Sequence, residues 1–326
     1  MCRLLGRVII LIFAGILPLM AADQQPPLTQ KEVHDLIKNN KSDPALIIKT
    51  ITERTVDFDL NKKIEGKFRP VGATDEILQA IWKAGPTCRT AKSSLLTSAT
   101  GKQLEATYEE AMAYQALQNE LDPDKCLKMV ADFEKRYPTS QLLSHAYTHG
   151  ANAAQQKGDL KEVVDLGEKS VKLDPENVLS LILVALTLPQ PKFVESLSAS
   201  ETNRRLAEAE DYARRALALT DKVPKKADET DEQYQKRKAG LVSDGHAALG
   251  MVYLQRDDTD KAIPEFQTAI ASAPKPNPLL YFRLGEIYAN NGKKAEAIEA
   301  FKKASQFGEG TVLKQYADQQ IQALKK

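Results

Sequence analysis

The sequence carries almost no net charge. Its 45 lysine and arginine residues stand against 44 aspartate and glutamate residues, which gives a formal net charge of +1 at pH 7. Proteins that hold nucleic acid or anionic lipid through their overall field carry a clear positive excess. We therefore expect no nucleic acid among the partners of this protein.

Short catalytic motifs are also missing. The sequence contains no Gly-x-Ser-x-Gly nucleophile turn, no glycine-rich phosphate loop ending in Gly-Lys-Ser/Thr and no dinucleotide-binding glycine pattern. Its carboxylates have lysine neighbours, which is typical of solvated helix faces. The sequence thus predicts no enzyme, no cofactor and no small-molecule substrate. A hydrolase with a cryptic pocket is the remote alternative.

The N-terminus has the pattern of a secretory signal peptide over residues 1–22. Arg3 and Arg7 precede an apolar stretch over 8–19, and small residues follow before a polar run. The stretch is shorter than the ~20 residues that a membrane-spanning helix needs. We expect the mature chain to begin at Ala22 or Asp23 and to be periplasmic or secreted. An uncleaved N-terminal membrane anchor is the alternative.

Cysteine and histidine are scarce beyond that segment. Cys88 and Cys126 could pair in an oxidising compartment, although a buried free thiol is the ordinary state of a cysteine on a helix face. His145 and His149 are four residues apart, a spacing that can bind a metal on one helix face. Ala146 stands where a zinc protease needs a glutamate. We expect no metal site, and surface or groove histidines instead.

Helix-forming residues dominate the chain from residue 103 onward, whereas aromatic residues make up only 6% of the whole sequence. This composition predicts an all-α fold. Near the C-terminus one set of residue types recurs in two copies, with Gly and Ala where helices must approach closely and aromatic side chains beside them. The recurring residues are Leu249, Gly250, Tyr253, Ala262, Phe266 and Ala269, then Leu284, Gly285, Tyr288, Ala297, Phe301 and Ala304.

Both copies resemble the tetratricopeptide repeat, and the chain is similar to an exported bacterial member of that family. The resemblance implies helical hairpins that stack into a solenoid, because each hairpin leaves an apolar face for its neighbour to cover. Weaker copies precede the two clear ones. The first of them opens with a helix at 104–121, and the third is interrupted by a loop at 189–200. We expect about five repeats within 103–311 and a capping helix after them, at 104–138, 144–177, 178–223, 243–276, 278–311 and 312–326.

Residues 28–84 do not follow the repeat. Thr29 and Glu32 have the spacing of a capping box, and further helix starts follow, which predicts a small helical N-terminal module. The segment 85–102 lacks periodicity and is interpreted as a linker. The charged stretch 221–237 either lengthens the first helix of the fourth repeat or forms a solvated loop.

The resemblance also implies a binding groove. In this family the first helices line the concave side, and repeat positions 2, 5, 9 and 12 point into it. The residues at those positions make a groove that is polar at one end and apolar beyond, although Leu179, Ile182 and Leu186 could instead be ordinary core. The predicted groove residues are His145, Thr148, Asn152, Gln155, Leu179, Ile182, Leu186, Asp244, Ala247, Met251, Leu254, Leu279, Phe282, Glu286 and Ala289.

The function that the resemblance implies is a non-catalytic protein–protein interaction scaffold of the periplasm or cell envelope. It would bind a peptide segment or a partner protein in the groove, and an accessory subunit of an export or envelope-assembly machine is the alternative. Phe282 and Met251 are expected to point away from the Leu284 packing face, so that glutamate there removes binding and spares the fold. Leucine in place of Gly285 is expected to destabilise the fold.

Overall fold

The computed structural model describes residues 25–89, 97–98, 100–226 and 229–325. Within these residues the regular structure is helical, apart from two isolated bridges, Leu28 with Val56 and Thr97 with Gln103. The all-α prediction is therefore confirmed. The signal peptide predicted at 1–22 lies outside the described residues. The chain divides into two compact units, Met1–Pro86 and Thr87–Lys326.

The first unit is built from short capped helices. Thr29 and Glu32 form the capping box that the sequence predicts, and Thr74 accepts a hydrogen bond from the Ile77 amide at the start of the last helix. The second and fourth helices pack together, and each carries fully buried isoleucines, such as Ile51 and Ile81. In chain order the helices are α1 (Gln30–Asn39), α2 (Pro44–Arg54), α3 (Lys62–Phe68) and α4 (Asp75–Ala84), with a 3-10 turn at Arg69–Val71.

The helices of the second unit pack as consecutive pairs, which we number 1 to 5. A short helix, α5 (Pro86–Arg89), precedes them at the unit boundary, and a last helix, α17 (Val312–Lys325), packs on the second helix of pair 5. The pairs are α6 (Tyr108–Gln118) with α7 (Pro123–Arg136), α8 (Leu143–Lys157) with α9 (Leu160–Leu173), α10 (Val178–Thr187) with α12 (Ala199–Leu219), α13 (Asp231–Gln255) with α14 (Thr259–Ser272), and α15 (Pro278–Asn290) with α16 (Lys294–Phe307).

Two glycines allow the close approach of helices in pairs 4 and 5. A Cβ atom on Gly250 would lie 2.9 Å from Cδ1 of Phe266, and one on Gly285 would lie 2.7 Å from Cδ1 of Phe301. Both phenylalanines are fully buried, so neither ring has free space to move into. The packing role that the sequence assigns to these glycines is confirmed.

Three details differ from the sequence-based expectation or decide between its alternatives. α6 begins at Tyr108 rather than 104, because Thr107 caps it in a capping box with Glu110. The loop that interrupts pair 3 contains a short helix, α11 (Pro191–Val194). The charged stretch begins in a 3-10 turn, Thr220–Lys222, and is helical from Asp231, so its second part lengthens the first helix of pair 4. Among the described residues, no helix combines the length and apolar character of a membrane span.

Candidate interaction surface

The first helices of the pairs carry the predicted groove residues. We call the side of α8, α10, α13 and α15 that carries them the first-helix face. α10 and α13 contact each other directly, although α12 lies between them in the chain. Leu241 of α13 belongs to one apolar cluster with Val178, Leu181 and Ile182 of α10. The face is therefore continuous from pair 3 to pair 4.

In pair 3 the predicted residues differ in exposure. Leu179 keeps 54% of its surface in solvent, and Leu186 is half-buried. Ile182 is buried in the cluster with Leu241, so its assignment to the groove is wrong and its alternative, ordinary core, is correct. The side chain faces the seam between α10 and α13 because the two helices lie side by side.

In pair 4 one predicted residue belongs to the core. Ala247 is buried between α13 and its neighbours, so it offers no surface to a partner. Met251 and Leu254 pack against the same core but keep part of their surface in solvent. Asp244, one turn before Ala247, is half-buried.

In pair 5 the predicted orientation of one groove residue is wrong. Leu279 is 46% exposed, and Glu286 accepts a hydrogen bond from Arg283 at 2.7 Å. The ring of Phe282 is half-buried and meets the ring of Phe301 edge-on, with centroids 5.2 Å apart. The expectation that Phe282 points away from the packed side of the pair is therefore wrong. Ala289 is also half-buried.

In pair 2 the predicted polar end of the groove is only partly at the surface. Asn152 and Gln155 are exposed, and His145 is half-buried. Thr148 is buried, so its assignment to the groove is wrong. Its hydroxyl donates to the Ser144 carbonyl at 3.1 Å and takes part in a buried polar cluster.

That polar cluster lies where α8, α9 and α10 meet, and the sequence reasoning missed it. It consists of the side chains of Ser144, Thr148, Ser170, Asn177 and Ser180, all of which are buried. The Asn177 amide nitrogen lies 3.0 to 3.1 Å from three hydroxyl oxygens, and the Thr148 and Ser180 hydroxyls are 2.7 Å apart. Mutual hydrogen bonding offsets the cost of burying these groups. The cluster fixes how pair 2 docks on pair 3.

The two spaced histidines pack on an aromatic ring of pair 1. The rings of His145 and His149 lie with their centroids 6.3 and 5.7 Å from that of Tyr114. Burial lowers the pKa of both imidazoles. Cys126 is buried with a free thiol and is not joined to Cys88. The part of the chain that the structure describes holds no group of three side chains suited to bind a metal ion.

A cavity of about 510 Å³ opens between α14, α15 and α16, which no sequence pattern indicated. Buried Leu284 and Ala300 contribute to its lining, together with Tyr281 and Tyr288. Lys303 lies over the Tyr281 ring, 5.5 Å from its centroid. Glu296, Glu299 and Lys303 also line the cavity. Since these residues carry charges of both signs, they do not select a ligand of one charge.

Comparison with known proteins agrees with this arrangement of helices. A family model for the tetratricopeptide repeat matches residues 247–310, which span the end of α13 and all of α14 to α16. Residues 247–310 therefore carry tetratricopeptide repeats. No curated protein matches the sequence.

Several solved tetratricopeptide repeat structures resemble the chain at low sequence identity. One is a thermophilic protein from Thermus thermophilus, with 17% identity, a TM-score of 0.45, and coverage of 64% of this chain and 94% of that one. Another is MamA, with 20% identity, a TM-score of 0.41, and coverage of 58% and 90%. A third, from Parabacteroides merdae, has 14% identity, a TM-score of 0.25, and coverage of 66% and 96%.

Proposed function

We propose that this chain is a non-catalytic scaffold that holds a partner protein, through a peptide segment, on the first-helix face of its repeats. Tetratricopeptide repeats act in general as protein-interaction scaffolds. Stacked helical repeats offer extended surfaces for such binding, because each pair adds one more first helix to the same side of the array.

The exposure of leucine on the first helices is the observation that carries this proposal. Leu179 and Leu279 keep 54% and 46% of their surface in solvent. Half-buried Leu186, Met251 and Leu254 add further apolar surface to the same face. Exposed apolar side chains that share one face of a protein mark interaction surfaces. A segment that buries its own apolar side chains is the occupant that fits such a surface.

We propose further that the protein is exported and acts in the periplasm or cell envelope. The support is the N-terminal pattern, in which Arg3 and Arg7 precede a short apolar stretch. Service as an accessory subunit of an export or envelope-assembly machine is a narrower form of the same scaffold role. The intact mass of the protein from its native cell should match a chain that begins at Ala22 or Asp23. A mass that includes Met1 would contradict cleavage.

The scaffold proposal is tested by placing a charge on the exposed leucines. Leu179→Glu and Leu279→Glu should each weaken partner binding at least about tenfold, because an apolar anchor of an interface commonly contributes ~2 kcal/mol or more. Both side chains already reach solvent, so the melting temperature should stay close to that of the unchanged protein. Leu121→Glu is the matched control, since Leu121 is 89% exposed in the turn between α6 and α7.

The measurement is cross-linking in the native cell, followed by mass spectrometry of the proteins recovered with each variant. We expect the control to recover a partner at the yield of the unchanged protein, and the two first-helix variants to lose it. Equal recovery by all four proteins would mean that the partner binds elsewhere on the chain. Loss with the control as well would mean that the effect is not specific to the first-helix face.

A further inference from the structure

One acidic side chain lies within the apolar part of the first-helix face. Leu241, Asp244 and Ala247 are three residues apart on α13 and share one side of the helix. Leu241 packs with Ile182 of α10, and Ala247 packs in a cluster with Ala185 of the same helix. Asp244 is therefore flanked along α13 by residues that meet α10.

This carboxylate has no partner of its own. Within the described residues, no side chain or amide donates a hydrogen bond to Asp244 and no cation forms an ion pair with it. Burial raises the pKa of its carboxyl group, and no neighbouring positive charge opposes that effect. Two other half-buried acids of pairs 4 and 5 do have partners, since Glu286 binds Arg283 at 2.7 Å and Glu265 lies 2.6 Å from His246.

An unpaired, half-buried carboxylate costs free energy because the protein replaces part of its water shell without returning a hydrogen bond. A bound molecule can reach Asp244, because its side chain is only half-buried and its carboxylate oxygens are not fully enclosed. A cation delivered by a bound molecule would supply the missing hydrogen bond to this carboxylate. The charge complementary to this face is therefore positive.

We propose that Asp244 pairs with a lysine or arginine side chain of the segment that the first-helix face binds. This inference rests on the proposed function, because it requires a segment on that face. It specifies the chemistry of the bound segment, which is apolar and contains one basic residue. The apolar residues on either side of the basic one are expected to cover exposed and half-buried apolar side chains of the same face, such as Leu179 of α10 and Met251 of α13.

The test uses a displayed library of random 12-residue peptides, panned against the full-length protein. We expect the unchanged protein to enrich apolar peptides that contain lysine or arginine. Asp244→Asn should enrich apolar peptides without the basic residue, and Asp244→Lys should favour aspartate or glutamate at that place. Asp165→Asn is the matched control, because Asp165 is exposed on the second helix α9; it should select as the unchanged protein does.

One selected peptide is then measured with its basic residue intact and with norleucine in that place. Asp244→Asn should weaken the intact peptide at least about tenfold, as expected for the loss of a partly desolvated charge pair. The norleucine peptide should bind the unchanged protein and the variant equally. An apolar selection with no basic residue, or equal binding of the intact peptide to both proteins, overturns the role of Asp244.

Failure of the underlying function gives a different result. If no peptide is enriched, or if the selected peptides bind Leu179→Glu as tightly as they bind the unchanged protein, the first-helix face is not the binding surface. In that case both inferences fall. If Leu179→Glu removes binding and Asp244→Asn does not, only the assignment of Asp244 falls.

Discussion

The buried polar cluster permits a quantitative prediction at Asn177. This residue is 2% exposed and caps α10, because its side-chain oxygen accepts a hydrogen bond from the Ser180 amide. Its amide nitrogen lies at hydrogen-bond distance from the hydroxyls of Ser144, Thr148 and Ser170. Since an amide nitrogen carries two hydrogens, Asn177→Ala removes two donated bonds together with the cap.

The expected loss of stability is the sum of those parts. Loss of a helix N-cap costs about 1 kcal/mol, and each buried hydrogen bond contributes about 1 kcal/mol net, which gives roughly 3 kcal/mol for Asn177→Ala. Asn277 provides the matched control, because it caps the first helix of pair 5 through the Leu279 amide but is exposed. Asn277→Ala should cost only the cap, about 1 kcal/mol.

The assay is urea unfolding of both variants, followed by circular dichroism. We expect Asn177→Ala to exceed Asn277→Ala by about 2 kcal/mol, and this difference reports the cluster alone. Equal losses of stability would refute the reasoning, because the hydroxyls would then be satisfied without the Asn177 amide. A change in the slope of the free energy of unfolding with urea would show either that the repeats no longer unfold together or that the compactness of one state has changed.

Three further predictions concern packing and charge. Gly285→Leu should lower stability by roughly 1 to 3 kcal/mol in urea unfolding, because the new side chain overlaps the Phe301 ring; unchanged stability would contradict the close approach. Phe282→Glu should destabilise the protein as well, by about 2 kcal/mol, because it removes an edge-on aromatic contact; an unchanged melting curve would contradict this packing. For His145 and His149, burial lowers the pKa in the folded state. As the pH falls, the unfolded chain therefore binds protons at a higher pH than the folded chain does. The free energy of unfolding should fall as the pH drops below about 6.5. A variant with glutamine at both positions should lose that part of the pH dependence, and an unaltered profile in urea unfolding would contradict it.

Much of the repeat architecture was predictable because the packing requires the same residue types at regular intervals in the sequence. Gly285 and Phe301 recur at the spacing of Gly250 and Phe266, and in each pair the glycine contacts the phenylalanine ring. The true start of α6 was also readable, since Thr107 and Glu110 have the spacing of a capping box. Such patterns lie within one repeat, so they can be recognised in the sequence without knowing how neighbouring repeats pack.

The candidate site was less predictable, and its errors share one repeat position. Thr148, Ile182 and Ala247 are buried and Phe282 is half-buried, and all four occupy the fifth position of their repeats. Helical spacing alone places this position on the same face as its exposed neighbours. Whether it opens to solvent depends on how closely the adjacent helices pack, which no single-helix pattern records. The missing partner of Asp244 has the same origin, because it depends on residues distant in the chain.

The enclosure of Phe301 has a consequence for the motion of pair 5. The ring is fully buried against Gly285 and the Phe282 ring, in a cluster that also includes Ala317 and Ile321 of α17. A half-turn of the ring about its own axis needs transient room, which a separation of α16 from α15 or from α17 supplies. The flip rate of this ring, measured from the NMR line shape of its ring protons, therefore reports how often the helices around it separate. The flip rate of one aromatic side chain thus reports the opening rate of the repeat.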